Sequence, residues 1–363
     1  MKDGVNQVLL TNVDKKEKRV SGSTAVKGIT GYRLRFTVLV VIFAVAFFGS
    51  FMLGRYPVMP WDLVKIVLSK FINIETTWSS SVEAVVNLRI VRAAAAVFIG
   101  AALGAAGTAY QGMFRNPMVS PDVLGASNGA AFGAALAIFC SFGYVGITLS
   151  SFGFGLAAVL LAYSISRKGK LNETLGMVLA GMMISTLFSS ATSFLKLIAD
   201  TDSVLPAITY WLMGSLASVR VNDLVFAGIP ITAGLVVLYL LRWRINLLTV
   251  EENEAKSMGI NTTRLRAVVI ICATLVTAAS VSVSGLIGWV GLVIPHICRL
   301  VFGQDYSRLM PASMVMGAAY LLVVDAVARM AALSEIPLGI LTSVIGAPVF
   351  IWLIMTGGSK NGA

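Results

Sequence analysis

Apolar runs of the length an α-helix needs to cross a hydrocarbon core of about 30 Å recur ten times along this chain of 363 residues. They fall at 34–53, 93–111, 123–141, 146–165, 174–198, 224–242, 265–283, 285–301, 310–331 and 338–356. With 57% hydrophobic and 12% charged residues, against about 25% charged in soluble domains, the sequence reads as an all-α polytopic membrane protein. Two further apolar stretches do not span. Residues 61–71 are too short and carry Asp62, Lys65 and Lys70, which suits an amphipathic helix on the membrane surface, and 204–218, interrupted by Pro206, is likewise placed outside.

Ten spans bring both termini to one face. Counted from there, the segments on the terminal side hold 20 of the 28 Lys and Arg residues and 9 of the 17 acids, leaving eight of each for the other side. The net charge of +11 therefore belongs to one face, which the positive-inside rule makes cytoplasmic. Such a basic balance reports topology and implies no nucleic-acid partner. Residues 1–33, rich in Lys, read as a disordered cytoplasmic tail within reach of the inner leaflet, and 357–363 as a short cytoplasmic tail. The apolar run after the basic tail exceeds the roughly 7–15 residues of a signal-peptide core, so it reads as a retained anchor.

Few residues offer chemistry of their own. Cys140, Cys272 and Cys298 lie in apolar runs without metal-ligand spacing, so no metal site is expected, and the sequon Asn261-Thr262-Thr263 lies on the cytoplasmic side. An ion-coupled carrier places acids or histidines near the midplane, whereas here Lys196, Asp325 and Arg329 sit toward span ends and the single histidine, His296, follows Pro295. A membrane-embedded enzyme would need a cluster of His, Asp or Glu. Small residues are abundant instead: Gly100-x-x-x-Gly104 with Gly107, Gly129-x-x-x-Gly133, and Gly285, Gly288 and Gly291 predict closely packed helices, the last three opening the eighth span.

Two polar segments stand out. In 111–127, Asn116-Pro117, Ser120-Pro121 and Gly125 stop and restart the helix at the membrane boundary, as a gate or a tight turn would. In 242–266, which could equally be a solvated loop, Thr249 to Glu252 fits a capping box, predicting a helix of about eight residues to Met258, ended by Gly259. Asn261 then caps a second helix that continues into the seventh span.

Residues 284–354 resemble the closing region of the permease subunits of iron-siderophore, haem and cobalamin ABC importers, the FecCD-type permease family, with GLVIPHICR, DAVARM, EIPLGI and GAPVFIWL in the family's order and spacing. Residues 88–130 look like the family's block around its second and third spans, and the resemblance runs from about Leu34 to Thr356. It implies a type II importer permease of ten helices in two inverted five-helix halves, in a prokaryotic plasma membrane. It further implies a homodimer or a pairing with a paralogous permease, an ABC ATPase dimer that holds ATP and Mg on the cytoplasmic side, and an extracytoplasmic substrate-binding protein. No cofactor is expected on this chain, and no enzymatic activity.

The same resemblance assigns roles. The segment at about 249–264, with Thr249, Glu252, Ala255, Met258 and Gly259, corresponds to the coupling helices, Met258 standing for the Leu of an A-x-x-L-G pattern. Arg89 and Arg92 match an L-R-x-P-R motif in which Val91 replaces the proline, and with Arg329 they resemble cations that meet glutamates of the binding protein. Asn116, Pro117 and Met118 resemble gate residues, as does Thr174, with Leu175 beside it. The family's selectivity lies largely in the binding protein; on breadth of use within the family an iron chelate leads as the expected substrate, followed by cobalamin and haem.

Overall fold

A computed structural model describes residues 31–54, 65, 66, 69, 80–169, 173–250, 252–259, 261–332 and 334–357. The surface helix expected at 61–71 lies almost wholly outside these residues, as does the tail expected over 1–33, save its last three residues. Twelve helices form among those described: α1 Gly31–Met52, α2 Ser80–Met113, α3 Ala126–Phe139, α4 Tyr144–Lys168, α5 Glu173–Ile198, α6 Val204–Leu212, α7 Val221–Leu248, α8 Glu252–Ser257, α9 Thr262–Ser284, α10 Val290–Phe302, α11 Tyr306–Met330 and α12 Leu338–Gly357. Ten of them sit on the ten apolar runs. Seven, α1, α2, α4, α5, α7, α9 and α11, are long and apolar enough to cross a membrane, while α3, α10 and α12 are shorter apolar helices. The short α6 lies in the stretch placed outside the spans.

The packing resolves into two halves of five, α1 to α5 and α7 to α12 without α8. α2 lies against α11 as α9 lies against α4; α3 packs on α4 and α5 as α10 packs on α11 and α12; α2 touches α10 as α9 touches α3. At the centre α2 meets α9, where the Tyr110 hydroxyl and the Thr274 hydroxyl are 3.0 Å apart. An odd number of crossings per half forces the second half to start on the face opposite the first, so the halves are inverted. The face where α1 begins and α12 ends is called proximal below, and the other distal.

Glycines set the closest approaches. A methyl group at Gly100, Gly104 or Gly107 of α2 would collide with the carbonyl oxygen of Gly317, Ser313 or Gly291 respectively, so this stripe lets the backbones of α10 and α11 touch α2. In lipid, where apolar side chains gain little by moving into protein, such contact supplies the packing energy.

Two boundaries differ from the sequence reading. α2 starts 13 residues before the expected 93, because Arg89 and Arg92, which end the apolar run, are paired inside the protein. The eighth span is helical only from Val290, so Gly291 lies in its first turn while Gly285 and Gly288 precede the helix. Residues 285–289 are non-helical, with Gly285 at φ +68° and Trp289 at φ +70°. Beside this stretch three segments share hydrogen bonds at the distal end. Ser215 N–H donates to Ser284 (2.8 Å), Leu338 N–H to Gly214 (2.9 Å) and Gly339 N–H to Met213 (3.0 Å). The short α3 and α10 thus hold the third place in their respective halves, each preceded by irregular backbone.

Candidate functional site

On the proximal face, α2 stops at Met113 and the chain turns sharply through 114–120 into a 3-10 turn, Pro121–Leu124, which Gly125 closes at φ +86°. The Asn116 side chain accepts from Met118 N–H at 2.9 Å, an Asx turn that leaves Met118 exposed. Opposite this turn lies the segment between α7 and α9. A cavity of about 400 Å3 joins the two, lined by Asn116 and Pro117 on one side and Thr249 on the other, with Arg115 and Arg299 as its cations.

The segment 249–264 departs from its expected capping. Thr249 is the C-cap of α7, and its hydroxyl donates backward to the Asn246 carbonyl at 2.6 Å, so it does not start the next helix. α8 is accordingly six residues, Glu252–Ser257, instead of about eight. Gly259 adopts φ +76°, the left-handed conformation that ends α8, and Asn261 caps α9 by accepting from Arg264 N–H at 2.9 Å, both as the sequence implied. Ala255 is 1% exposed and Met258 60% exposed. Ala255 therefore seats α8 on the bundle, while Met258 is presented outward. The Glu252 side chain lies outside the described residues.

The distal face carries the three arginines in one cluster, around a cavity of about 230 Å3 shared with Glu335. Arg89 donates to the Phe51 carbonyl (2.6 Å), and Arg329 to those of Ser50 (3.0 Å) and Leu53 (3.0 Å), so two cations cap the C-terminal end of α1. Arg92 donates to Asp325 at 2.6 Å and, through Nη1, to both oxygens of Glu335 at 2.7 and 2.9 Å. Arg89 and Arg329 are buried, and Glu335 is the most open member, its side chain 33% exposed. The sequence motif grouped these arginines correctly in space, but it carried no sign of Asp325 and Glu335 as their partners.

The remaining expected residues lie apart. Thr174 and Leu175 open α5, a different element from the 116–118 turn, and α5 meets the continuation of that turn where Gly181 abuts Val123. His296 sits on α10 with its ring edge-on to Phe350, centroids 6.2 Å apart, and its buried Nδ1 has no hydrogen-bond partner among the described residues. Among the described residues no group of three or more His, Cys, Asp or Glu could hold a metal ion.

An inverted helical bundle with irregular third spans, a polar turn at one face and a cation cluster at the other defines a polytopic permease. Residues 41–356 match the model of the FecCD transport family, and the chain belongs to that family of ABC importer permeases. It is 39% identical over 328 residues to the molybdate import system permease protein MolB of Haemophilus influenzae, covering 90% of this chain and 96% of MolB. An iron chelatin transport system permease protein of Helicobacter pylori is 37% identical over 324 residues, with 89% and 97% coverage. Other relatives carry the names of cobalamin and hemin permeases. The solved structure of an inward-facing metal-chelate type ABC transporter superposes with a TM-score of 0.80 at 36% identity, covering 89% of this chain and 99% of that one.

Proposed function

We propose that this chain is the membrane-spanning subunit of an ATP-driven importer, in which a separate ATPase dimer engages α8 from the proximal, cytoplasmic face. A binding protein delivers substrate at the distal face, and two permeases, as a homodimer or with a paralogue, enclose the path. The observation that carries this reading is α8 itself: a short helix seated by Ala255, bounded by the Gly259 turn, with Met258 exposed. ATP and Mg belong to the ATPase. On the distal face, carboxylates of a docking protein would meet Arg89, Arg92 and Arg329 at the cavity they share with Glu335, where charge complementarity sets register. The turn at Asn116, Pro117 and Met118, with Thr174 on α5, forms the inner gate.

For the substrate, an iron chelate comes first, supported by the Helicobacter pylori relative and the metal-chelate transporter structure. Molybdate is the second reading, favoured by the MolB relative, ahead of cobalamin and haem. Vesicles holding permease, ATPase and binding protein decide the matter with four probes: a ferric chelate, molybdate, cobalamin and haem. Uptake of one should require ATP, stop with vanadate and survive an ionophore. Uptake that collapses with the ionophore and persists without the ATPase would make this an ion-coupled carrier instead. Ala255→Asp, which forces a carboxylate under α8, should release the ATPase and abolish uptake.

A further inference from the structure

We infer that Arg115 is the positioning residue that ties the gate turn to the coupling segment, an inference resting on the reading of α8 as the ATPase contact. Arg115 sits at φ +53°, a left-handed conformation that side-chain-bearing residues rarely adopt. The geometry there aims its guanidinium away from its own helix and across to the end of α7. Nε donates to the Leu248 carbonyl at 2.8 Å, and Nη2 donates to the Val250 carbonyl.

Both acceptors are diagnostic. Leu248 is the last residue of α7, whose final carbonyls lack intrahelical donors and carry partial negative charge, and Val250 lies two residues before α8. One planar fork therefore grips the segment that any movement of α8 must displace. Asn116, which makes the Asx turn beneath Met118, follows Arg115 directly.

A second linkage holds the same end of α7 without entering the turn. Asn246 donates to Asp305 (2.8 Å) and accepts from Tyr306 N–H (2.8 Å), and Arg299 donates to the Tyr306 hydroxyl (3.3 Å) and to Gln111 (2.9 Å) on α2. That linkage anchors α7 to α2 and α11 as scaffold. Arg115 is what passes displacement into the turn itself.

The test uses the full permease with its ATPase and binding protein in lipid nanodiscs, with Cys140, Cys272 and Cys298 replaced by serine and Met118→Cys introduced as the reporter. The rate of maleimide alkylation at position 118 is read with and without ATP plus vanadate. Vanadate trapping should change that rate at least about fivefold in the parent, the smallest response expected of coupled sites. Arg115→Gly, which suits the left-handed backbone, should remove the change while ATP hydrolysis continues at the parent rate. Arg115→Lys, which keeps one charged donor, should restore part of it. A parental response in Arg115→Gly overturns the inference; so does hydrolysis lost in step with the response in both variants, which would mark a general loss of assembly. Ala255→Asp separates the two readings: an ATPase still bound to that variant sinks the α8 assignment, whereas an unresponsive turn in Arg115→Gly with the ATPase bound does not touch it.

Discussion

Asp325 shows how one buried carboxylate organises the distal face. It lies between Arg92 at 2.6 Å and Arg329 at 3.1 Å, with its side chain 3% exposed, so deleting it leaves Arg92 with Glu335 alone and Arg329 with only backbone carbonyls, among them those of Ser50 and Leu53. Removing one partner of a buried pair costs about 3–5 kcal/mol where the remaining charge is left uncompensated, an upper bound here because Glu335 and the α1 carbonyls stay in place. Glu335 also reaches Arg92, at 2.7 Å, but it is a third exposed, and open pairs contribute about 0–1 kcal/mol. Asp325→Ala should therefore lower the melting temperature of the detergent-solubilised permease sharply, and Glu335→Gln only slightly. Equal losses would show that the cluster is solvated throughout. The three arginines were legible in the sequence as a set only through the family resemblance, which joins the motif of Arg89 and Arg92 to the separate DAVARM of Arg329. Their second use, capping the carbonyls of α1, was not legible, since no sequence pattern specifies which helix end a distant cation will reach.

At the scale of elements, the proximal ends of α7 and α11 are held by one acid. Asp305 caps α11, accepting from Ser307 N–H at 3.0 Å and the Ser307 hydroxyl at 2.6 Å, and it also accepts from Asn246 at the end of α7. Burial alone would raise its carboxyl, but the hydrogen bonds from Ser307 and Asn246, with Arg308 nearby, outweigh that and hold it below the usual carboxylate value. A depressed folded-state pKa stabilises the fold above the ordinary value and loses that contribution as pH falls through the lowered one. Asp305→Ala should thus cost about 1 kcal/mol at neutral pH, typical of a lost cap. The gap to wild type should stay constant through neutral pH and narrow only below about pH 4. Narrowing near neutrality would contradict this account. Element positions were readable because apolar length is a direct physical requirement of lipid; element ends were less so. Thr249 fits the start of α8 and the end of α7 equally well by residue type, and the backbone resolved the choice by turning its hydroxyl back to Asn246. In the same way, the glycines at 285, 288 and 291 announce close packing without saying that the chain between them leaves the helix.

At the scale of the whole molecule, the two faces are chemically unlike despite the inversion of the halves. The proximal face gathers Arg115, Arg299, Arg308 and the α8 segment, whereas distal Arg89, Arg92 and Arg329 sit beside Asp325 and Glu335 at the end of α1. Lys and Arg bias sets orientation in proportion to what remains in short loops, so the proximal face should be cytoplasmic. The native cysteines provide the check. Cys140 is exposed at the distal end of α3, while Cys272 and Cys298 are buried within α9 and α10, leaving one reactive thiol to report one face. In intact spheroplasts a membrane-impermeant maleimide should label the wild-type chain through Cys140, and Cys140→Ser should abolish that labelling. Adding Met258→Cys to the Cys140→Ser chain should restore reaction only after the membrane is opened, since α8 projects from the opposite face. The reverse pattern would place α8 outside the cell, where no ATPase operates, and would remove the physical basis for coupling at Ala255, Met258 and Gly259 together with the orientation.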